Sequence, residues 1–461
     1  MVESTSDDRL PSQTGPVMTL VALMLAGEAI FGLPFHVARY FRPSFVDVFE
    51  VTQTQLGWMS SLYGIVATGC YLLGGRLADQ FSPRLLLSFS LVITGLSGFY
   101  MMTIPPTTGL ALLYVFWGCS TILPFWASLI KATRDWGGAD GQGKAFGLLD
   151  AGRGLLAAVL ATFALLMFRW TLPDLKGDVT LQQKRSAIQI TIATYIAACF
   201  VAAVMVALFL PRGTRRADDG EGEVSTNSVR PRAVRWTDVI AMPVVWLQAG
   251  VIVAAYMAFK GLDYYSQYAK DIWGWSDVDA STLSTMTTWT RPFATVVAGL
   301  IADRVGPSRT VIASFGVLAA GSILLISLTG GNAEPMDPTG GVLPLEQTVR
   351  VADWRSSALA LWTAILVGCL GIFALRGIYF ALLEESEVPV HVTGTAVGVV
   401  SFIGYTPEIF FPFLSGWLID SFEGGIGGYR YLYGIIALAC AAGAAAAWQI
   451  RIRSRQTVAA D

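Results

Sequence analysis

Two stretches decide the fold: Gly75-Arg76-Leu77-Ala78-Asp79-Gln80-Phe81-Ser82-Pro83-Arg84 and Gly299-Leu300-Ile301-Ala302-Asp303-Arg304-Val305-Gly306-Pro307-Ser308-Arg309. Both run Gly-x-(Leu/Ile)-Ala-Asp, then a turn, then Arg, and both join two apolar runs. A second echo pairs Gly143-Lys144-Ala145-Phe146-Gly147 with Gly394-Thr395-Ala396-Val397-Gly398. Each pair joins apolar runs six apart in order, so the chain reads as a duplication.

Working outward, apolar stretches of about 20 residues recur throughout, the length that a hydrocarbon core of about 30 Å asks of a helix. The first set lies near 17–38, 56–78, 84–103, 108–131, 145–169 and 187–210, the second near 240–262, 280–301, 309–329, 356–382, 394–419 and 429–451. Backbone polar groups in lipid need internal partners, which selects helices. The expected fold is an all-α membrane protein, with twelve transmembrane helices in two pseudo-symmetric six-helix bundles. Residues 1–16 read as a disordered cytoplasmic N-terminus, 17–210 as the first bundle, 211–238 as a charged cytoplasmic linker, 239–452 as the second bundle and 453–461 as a cytoplasmic tail.

Composition agrees: 54% of the 461 residues are hydrophobic and 14% charged, too few charges to cover a soluble surface. A net charge of −2 with scattered basic residues argues against nucleic acid. Cys70, Cys119, Cys199, Cys369 and Cys440 each sit in an apolar run without a CxxC partner, which predicts free thiols. His36 and His391 are the whole histidine complement, too few for a His-based metal centre. The polar start lacks the basic n-region of a signal peptide, so the run after Pro16 is expected to remain as the first helix. No GxxxxGK[ST] loop is present, which argues against direct ATP coupling, and no cofactor is expected. Lys and Arg modestly favour the side holding both termini, the cytoplasm by the positive-inside rule, and leave 330–355 external.

The Gly-x-Leu-Ala-Asp…Arg element at Gly75, Asp79 and Arg84, repeated at Gly299, Asp303 and Arg309, resembles the signature loop of the major facilitator superfamily. The resemblance extends to span number and central linker. It implies that Asp79 and Asp303 help close the cytoplasmic face by meeting helix N-termini of the opposite half, here the starts of spans eleven and five. A carboxylate there is favourable by about 0.3–1 kcal/mol. Capping a local turn is the simpler role. Gly75 and Gly299 would let neighbouring helices approach closely, and Gly143, Gly147, Gly394 and Gly398 read as a tight seam between halves.

Ionisable groups inside spans are costly and usually face a cavity or a partner. At about 1.5 Å per residue, Glu28 lies roughly 16 Å into span one, Arg153 roughly 13 Å into span five, and Arg291 roughly 18 Å from the inner edge of span eight. Arg376 lies in the inner half of span ten, and Glu408 follows Pro407 in the outer half of span eleven. Arginine keeps its charge, and its planar fork suits carboxylate, phosphate or sulfonate. Arg153 and Arg291 therefore read as anion ligands, with Arg376 and Lys131 as further candidates. The competing reading pairs Arg153 with Asp150 or Glu28, and Arg376 with another acid. Glu28 is a candidate proton carrier, with Asp150 and Glu408 as further acids for coupling. Tyr256, Lys260 and Tyr264 near the end of span seven, and Trp126 in span four, are either cavity walls or interfacial anchors.

The stretch Pro124-Phe125-Trp126-Ala127-Ser128-Leu129-Ile130-Lys131-Ala132-Thr133-Arg134, then Gly141-Gln142-Gly143 and Asp150-Ala151-Gly152-Arg153-Gly154, is similar to bacterial organic-anion permeases encoded beside sulfosugar catabolism, distant cousins of organophosphate antiporters. Gly404-Tyr405-Thr406-Pro407-Glu408 is similar as well. The resemblance implies a small anionic solute. Two departures narrow the choice. Tyr114 stands where drug/proton antiporters of the superfamily carry an arginine, and Glu28 stands where the organophosphate branch places a basic residue. The expected function is secondary active transport of a small organic anion by alternating access, in a monomer of the cell inner membrane, with proton symport as an option. A permease for a neutral or zwitterionic nutrient, with structural arginines, stays open, as does a non-transporting receptor. An enzyme is not expected.

Overall fold

A computed structural model of the chain describes residues 14–138, 141–172, 179–211, 239–329, 357–385 and 393–458. The expectations for the linker 211–238 (beyond Pro211), the loop 330–355 and the ends of both tails lie outside the described residues.

The first half comprises α1 (Thr14–Ala29), a π-helical turn (Gly32–His36), α2 (Val37–Tyr40), α3 (Arg42–Phe49), α4 (Gln53–Gln80), α5 (Pro83–Met102), α6 (Thr107–Ser120), α7 (Trp126–Gly137), α8 (Gln142–Thr171) and α9 (Leu181–Phe209). The second comprises α10 (Pro243–Gly261), α11 (Tyr265–Trp273), α12 (Asp277–Thr288), α13 (Thr290–Val305), α14 (Pro307–Ser327), α15 (Ala358–Ile378), α16 (Leu382–Glu385), α17 (Thr393–Gly404), α18 (Pro407–Ser421) and α19 (Ile426–Val458). Among the described residues, nine helices are long and apolar enough to span a bilayer, and α4 is a tenth. The remaining two spans are broken in the middle: α6 and α7 meet around Pro124, and α12 and α13 around Trp289. That completes twelve.

Polar caps set several helix starts. Thr52 and Thr180 form capping boxes with Gln55 and Gln183 ahead of α4 and α9. Ser82 accepts from the Leu85 amide, with Pro83 in the first turn of α5.

The contacts themselves repeat at an offset of six spans. α5 packs on α9 as α14 packs on α19, α1 on α9 as α10 on α19, and α4 on α6 as α13 on α15. The apolar cores follow the halves, except that Val278 of the second half joins a core of the first.

The halves meet closely on the face opposite the signature loops. A Cβ on Gly57 would lie 2.2 Å from the Pro412 carbonyl oxygen, and one on Gly416 2.2 Å from that of Gln53, so α4 and α18 touch backbone to backbone. Asp420 of α18 caps α4 across the boundary, accepting from the Thr54 amide at 2.6 Å and the Gln53 amide at 3.2 Å. This places a carboxylate on a positive helix end. Arg39 pairs with Asp263, Lys184 with Asp277 at 2.9 Å, and the Ser44 hydroxyl donates to Asp277 at 2.6 Å. Gly57→Ala and Gly416→Ala are each expected to cost about 1–3 kcal/mol by overpacking this seam. Thermal melts of the two variants beside Gly75→Ala, which meets open space, test this.

On the signature face the halves are parted. Gly75, Gly147, Gly299 and Gly398 have nothing within 4 Å of where a Cβ would sit. The expectation of tight approach at these glycines is corrected: in this conformation the close seam runs through Gly57, Gly64 and Gly416 instead. Asp79, Asp303 and Arg309 stand exposed, and Arg84 donates to the Leu210 carbonyl oxygen at 3.4 Å. The residues just ahead of the expected start of span eleven, 386–392, lie outside the described residues.

Candidate functional site: a charged cavity between the halves

A cavity enclosing about 970 Å³, its open mouth included, lies between the halves. Glu28, Trp126, Arg153, Tyr256, Lys260, Arg291, Arg376 and Glu408 all line it, so eight expected residues converge on one place.

Helix breaks position them. α1 ends at Ala29, one residue past Glu28, and the π-turn with Pro34 redirects the chain. Proline lacks an N–H and cannot extend a regular ladder. Glu28 is 3% exposed and ion-pairs with Arg153 Nε at 3.5 Å and Arg291 Nη1 at 3.5 Å, with His36 Nε2 3.3 Å away. Arg153 also donates to the Gly27 carbonyl oxygen at 3.0 Å and lies 5.7 Å from the Trp126 ring centre. Arg291 reaches Asp150 at 3.4 Å.

Across the cavity Glu408 is held by Lys260 at 3.0 Å and by the Tyr256 hydroxyl at 2.6 Å. Lys260 also meets Asp263 at 3.2 Å, and Asp263 is the partner of Arg39. The cavity wall is thus wired to the seal on the opposite face.

Arg376 differs from these. Its guanidinium lies 3.9 Å from the Phe259 ring centre, and Nη1 is buried with no hydrogen-bond partner. Among the described residues no carboxylate lies within 4.0 Å of it. The lining holds five permanent cations, Arg39, Arg153, Lys260, Arg291 and Arg376, against the carboxylates of Glu28 and Glu408. Adding Asp150 and Asp263, which contact three of those cations, leaves a surplus of one positive charge.

Three expected residues fall elsewhere. Lys131 donates to the Ala78 carbonyl oxygen at 2.6 Å and ties α7 to the end of α4. Tyr264 is buried, its hydroxyl donating to the Pro412 carbonyl oxygen at 2.9 Å beneath the Arg42 guanidinium. Asp150 reaches the site only through Arg291, with its side chain 45% exposed. The sequence reading missed Phe35, His36, Arg39, Tyr63, Tyr71, Phe259 and Tyr405, which also line the cavity. A signal existed for two of them: His36 and Arg39 are eight and eleven residues beyond Glu28, on a span continuing past Pro34.

A family profile for the Major Facilitator Superfamily matches residues 17–407. The chain belongs to the major facilitator superfamily. It is 26% identical over 426 residues to the inner membrane protein YihN of Escherichia coli K12, covering 92% of each chain. It is likewise 26% identical over 408 residues to the inner membrane protein YqcE of the same organism, covering 87% of each. A mutant of the nucleoside transporter NupG superposes with a TM-score of 0.65 at 14% identity, covering 94% of this chain and 99% of that one. A bacterial homologue of the human lysosomal transporter Spinster, solved inward-facing and unoccupied, gives 0.63 at 13% identity, with 96% and 98% covered. These likenesses to solved structures show the fold. The chain is a multi-pass membrane protein of this superfamily, a secondary transporter of a small solute rather than an enzyme.

Proposed function

We propose that this transporter carries a small organic anion by alternating access, binding it in the cavity between the halves. The observation that carries the reading is Arg376, a half-buried cation with a buried, unpartnered Nη1 and no described carboxylate within 4.0 Å, in a cavity whose described charges otherwise cancel. A ligand anion supplies the missing counter-charge, and Arg153 and Arg291, which share Glu28, can turn part of their donor capacity toward it. The bundles 17–210 and 239–452 are the rocking units. We assign the signature face to the cytoplasm, in keeping with the Lys and Arg bias and with Arg451 and Arg453 at the end of α19. In that frame the described conformation is inward-open, and Asp79 and Asp303 act when the inner face closes.

One observation favours a second reading, a permease for a neutral nutrient. Glu28 and Asp150 already satisfy part of Arg153 and Arg291. A thermal-shift screen of the purified protein against sulfonates, sugar acids, phosphorylated sugars and neutral sugars separates the two, because a ligand of the folded state raises the melting temperature. At 100 times its dissociation constant the gain is about 2.7 kcal/mol. Stabilisation by an anion and not by its neutral analogue is expected. Stabilisation by neutral sugars alone would select the second reading.

A further inference from the structure

A second, much smaller chamber lies beside the main cavity, with about 30 Å³ of space for water centres. Its wall is rich in hydroxyls, with Tyr40, Ser284, Thr287 and Thr288 among its lining residues. A polar space of this size is roomy enough for water. Glu28, His36, Arg39, Phe259 and Arg291 line both spaces.

Of these five, only His36 exchanges a proton readily near neutral pH in its ordinary state. Arginine does not release its proton. Protonating Glu28 would strip Arg153 and Arg291 of their shared counter-charge in a buried site, which is costly. His36 closes the π-helical turn, an element often found at functional sites. It is 3% exposed. Nε2 faces Glu28 Oε1 at 3.3 Å, whereas Nδ1 is buried without a hydrogen-bond partner. The ring packs 5.3 Å from the Tyr40 ring and 5.6 Å from that of Tyr195, whose hydroxyl is also buried and unpartnered. The charged groups around it are Glu28, Arg39, Arg291 and, through Glu28, Arg153.

We propose that His36 carries the proton coupled to transport, with Glu28 as its fixed counter-charge. The proposal rests on the transporter assignment and goes beyond the anion reading, which is silent on coupling. In the neutral ring Nε2–H donates to Glu28, and Nδ1 is the free base. When local opening brings water to Nδ1, a hydronium ion gives it a proton, forming one N–H bond and leaving water. Glu28 then holds a full cation at His36, and Arg291 is freer to turn to a solute anion. Return of the proton to water in the main cavity restores Arg291 to Glu28 and releases the anion. Proton and anion therefore travel together.

The test needs no known substrate. The full chain holds two histidines, His36 and His391, so a His391→Gln protein labelled with ¹⁵N-histidine reports on His36 alone. In lipid nanodiscs its ring nitrogens are expected to titrate with one midpoint between pH 5 and 8. Spin labels on Gln80→Cys and Arg304→Cys, with the native cysteines replaced by serine, report the opening of the signature face. Their distance distribution is expected to shift around the same midpoint, and to be flat with pH in His36→Gln and His36→Asn. Using both variants guards against a folding defect in one. A His36 signal constant from pH 5 to 9, or a wild-type pH response in either variant, overturns the proposal. Anion-dependent thermal shifts measured on the same variants report the anion reading separately: if they persist while the pH response is lost, the two functions are resolved.

Discussion

Arg376→Gln is expected to weaken binding of the anion selected by thermal shift by about 10- to 150-fold, the equivalent of about 1.5–3 kcal/mol for a hydrogen bond to a charged group. The variant strands no acid, since no described carboxylate lies within 4.0 Å of Arg376. The loss should therefore appear in affinity and not in folding. Glutamine keeps a polar head over Phe259 but forfeits the charge and the fork. Calorimetric titration of both proteins with the anion and with its neutral analogue is the measurement. Unchanged anion affinity beside a lower melting temperature would make Arg376 a packing residue, its guanidinium serving only the Phe259 face.

Glu28→Gln is expected to have the largest effect on stability. It leaves Arg153 and Arg291 without their shared carboxylate in a site where Glu28 is 3% exposed. Removing one partner of a buried ion pair costs about 3–5 kcal/mol, mostly because the remaining charge is uncompensated. The two arginines are not equal in what they retain. Arg153 keeps only the Gly27 carbonyl oxygen, whereas Arg291 keeps Asp150. Removing Arg153 in the Glu28→Gln background should recover part of the loss. A double-mutant cycle on the melting temperatures measures that coupling. Strict additivity of the two changes would show that the pair does not interact.

Much of this architecture is legible in the sequence because lipid imposes a strong filter. A helix must be about 20 apolar residues long, and that length repeats twelve times. The duplicated loop at Asp79 and Asp303 needs no structure to be seen. The broken spans were harder to read: hydropathy marks 108–131 and 280–301 as continuous, but Pro124 and Trp289 divide them into helices too short to qualify alone.

The site was legible for charges at mid-depth and illegible near helix ends. Glu28, Arg153, Arg291 and Arg376 stand out because a charge far from either interface has few reasons to exist. Arg39 and His36 lie where a straight helix would already be leaving the membrane, so their entry into the cavity depends on the π-turn at Gly32–His36. Lys131 and Tyr264 erred in the other direction. Each was suitable by type, but a nearby backbone carbonyl claims its polar atom. Which glycines form the seam depends on the conformational state. The pattern at Gly147 and Gly398 marks small residues without saying which face is shut.

The central claim, an anion carried through the cavity with Arg376 as its counter-charge, is tested most directly by counterflow in proteoliposomes. Vesicles preloaded with the unlabelled anion selected by thermal shift are diluted into the same anion carrying a radiolabel. Transient accumulation is expected in wild type, with none from the neutral analogue and at least a tenfold slower initial rate in Arg376→Gln at subsaturating anion. Equal counterflow of the neutral analogue, or a wild-type initial rate in Arg376→Gln under the same conditions, would contradict the account.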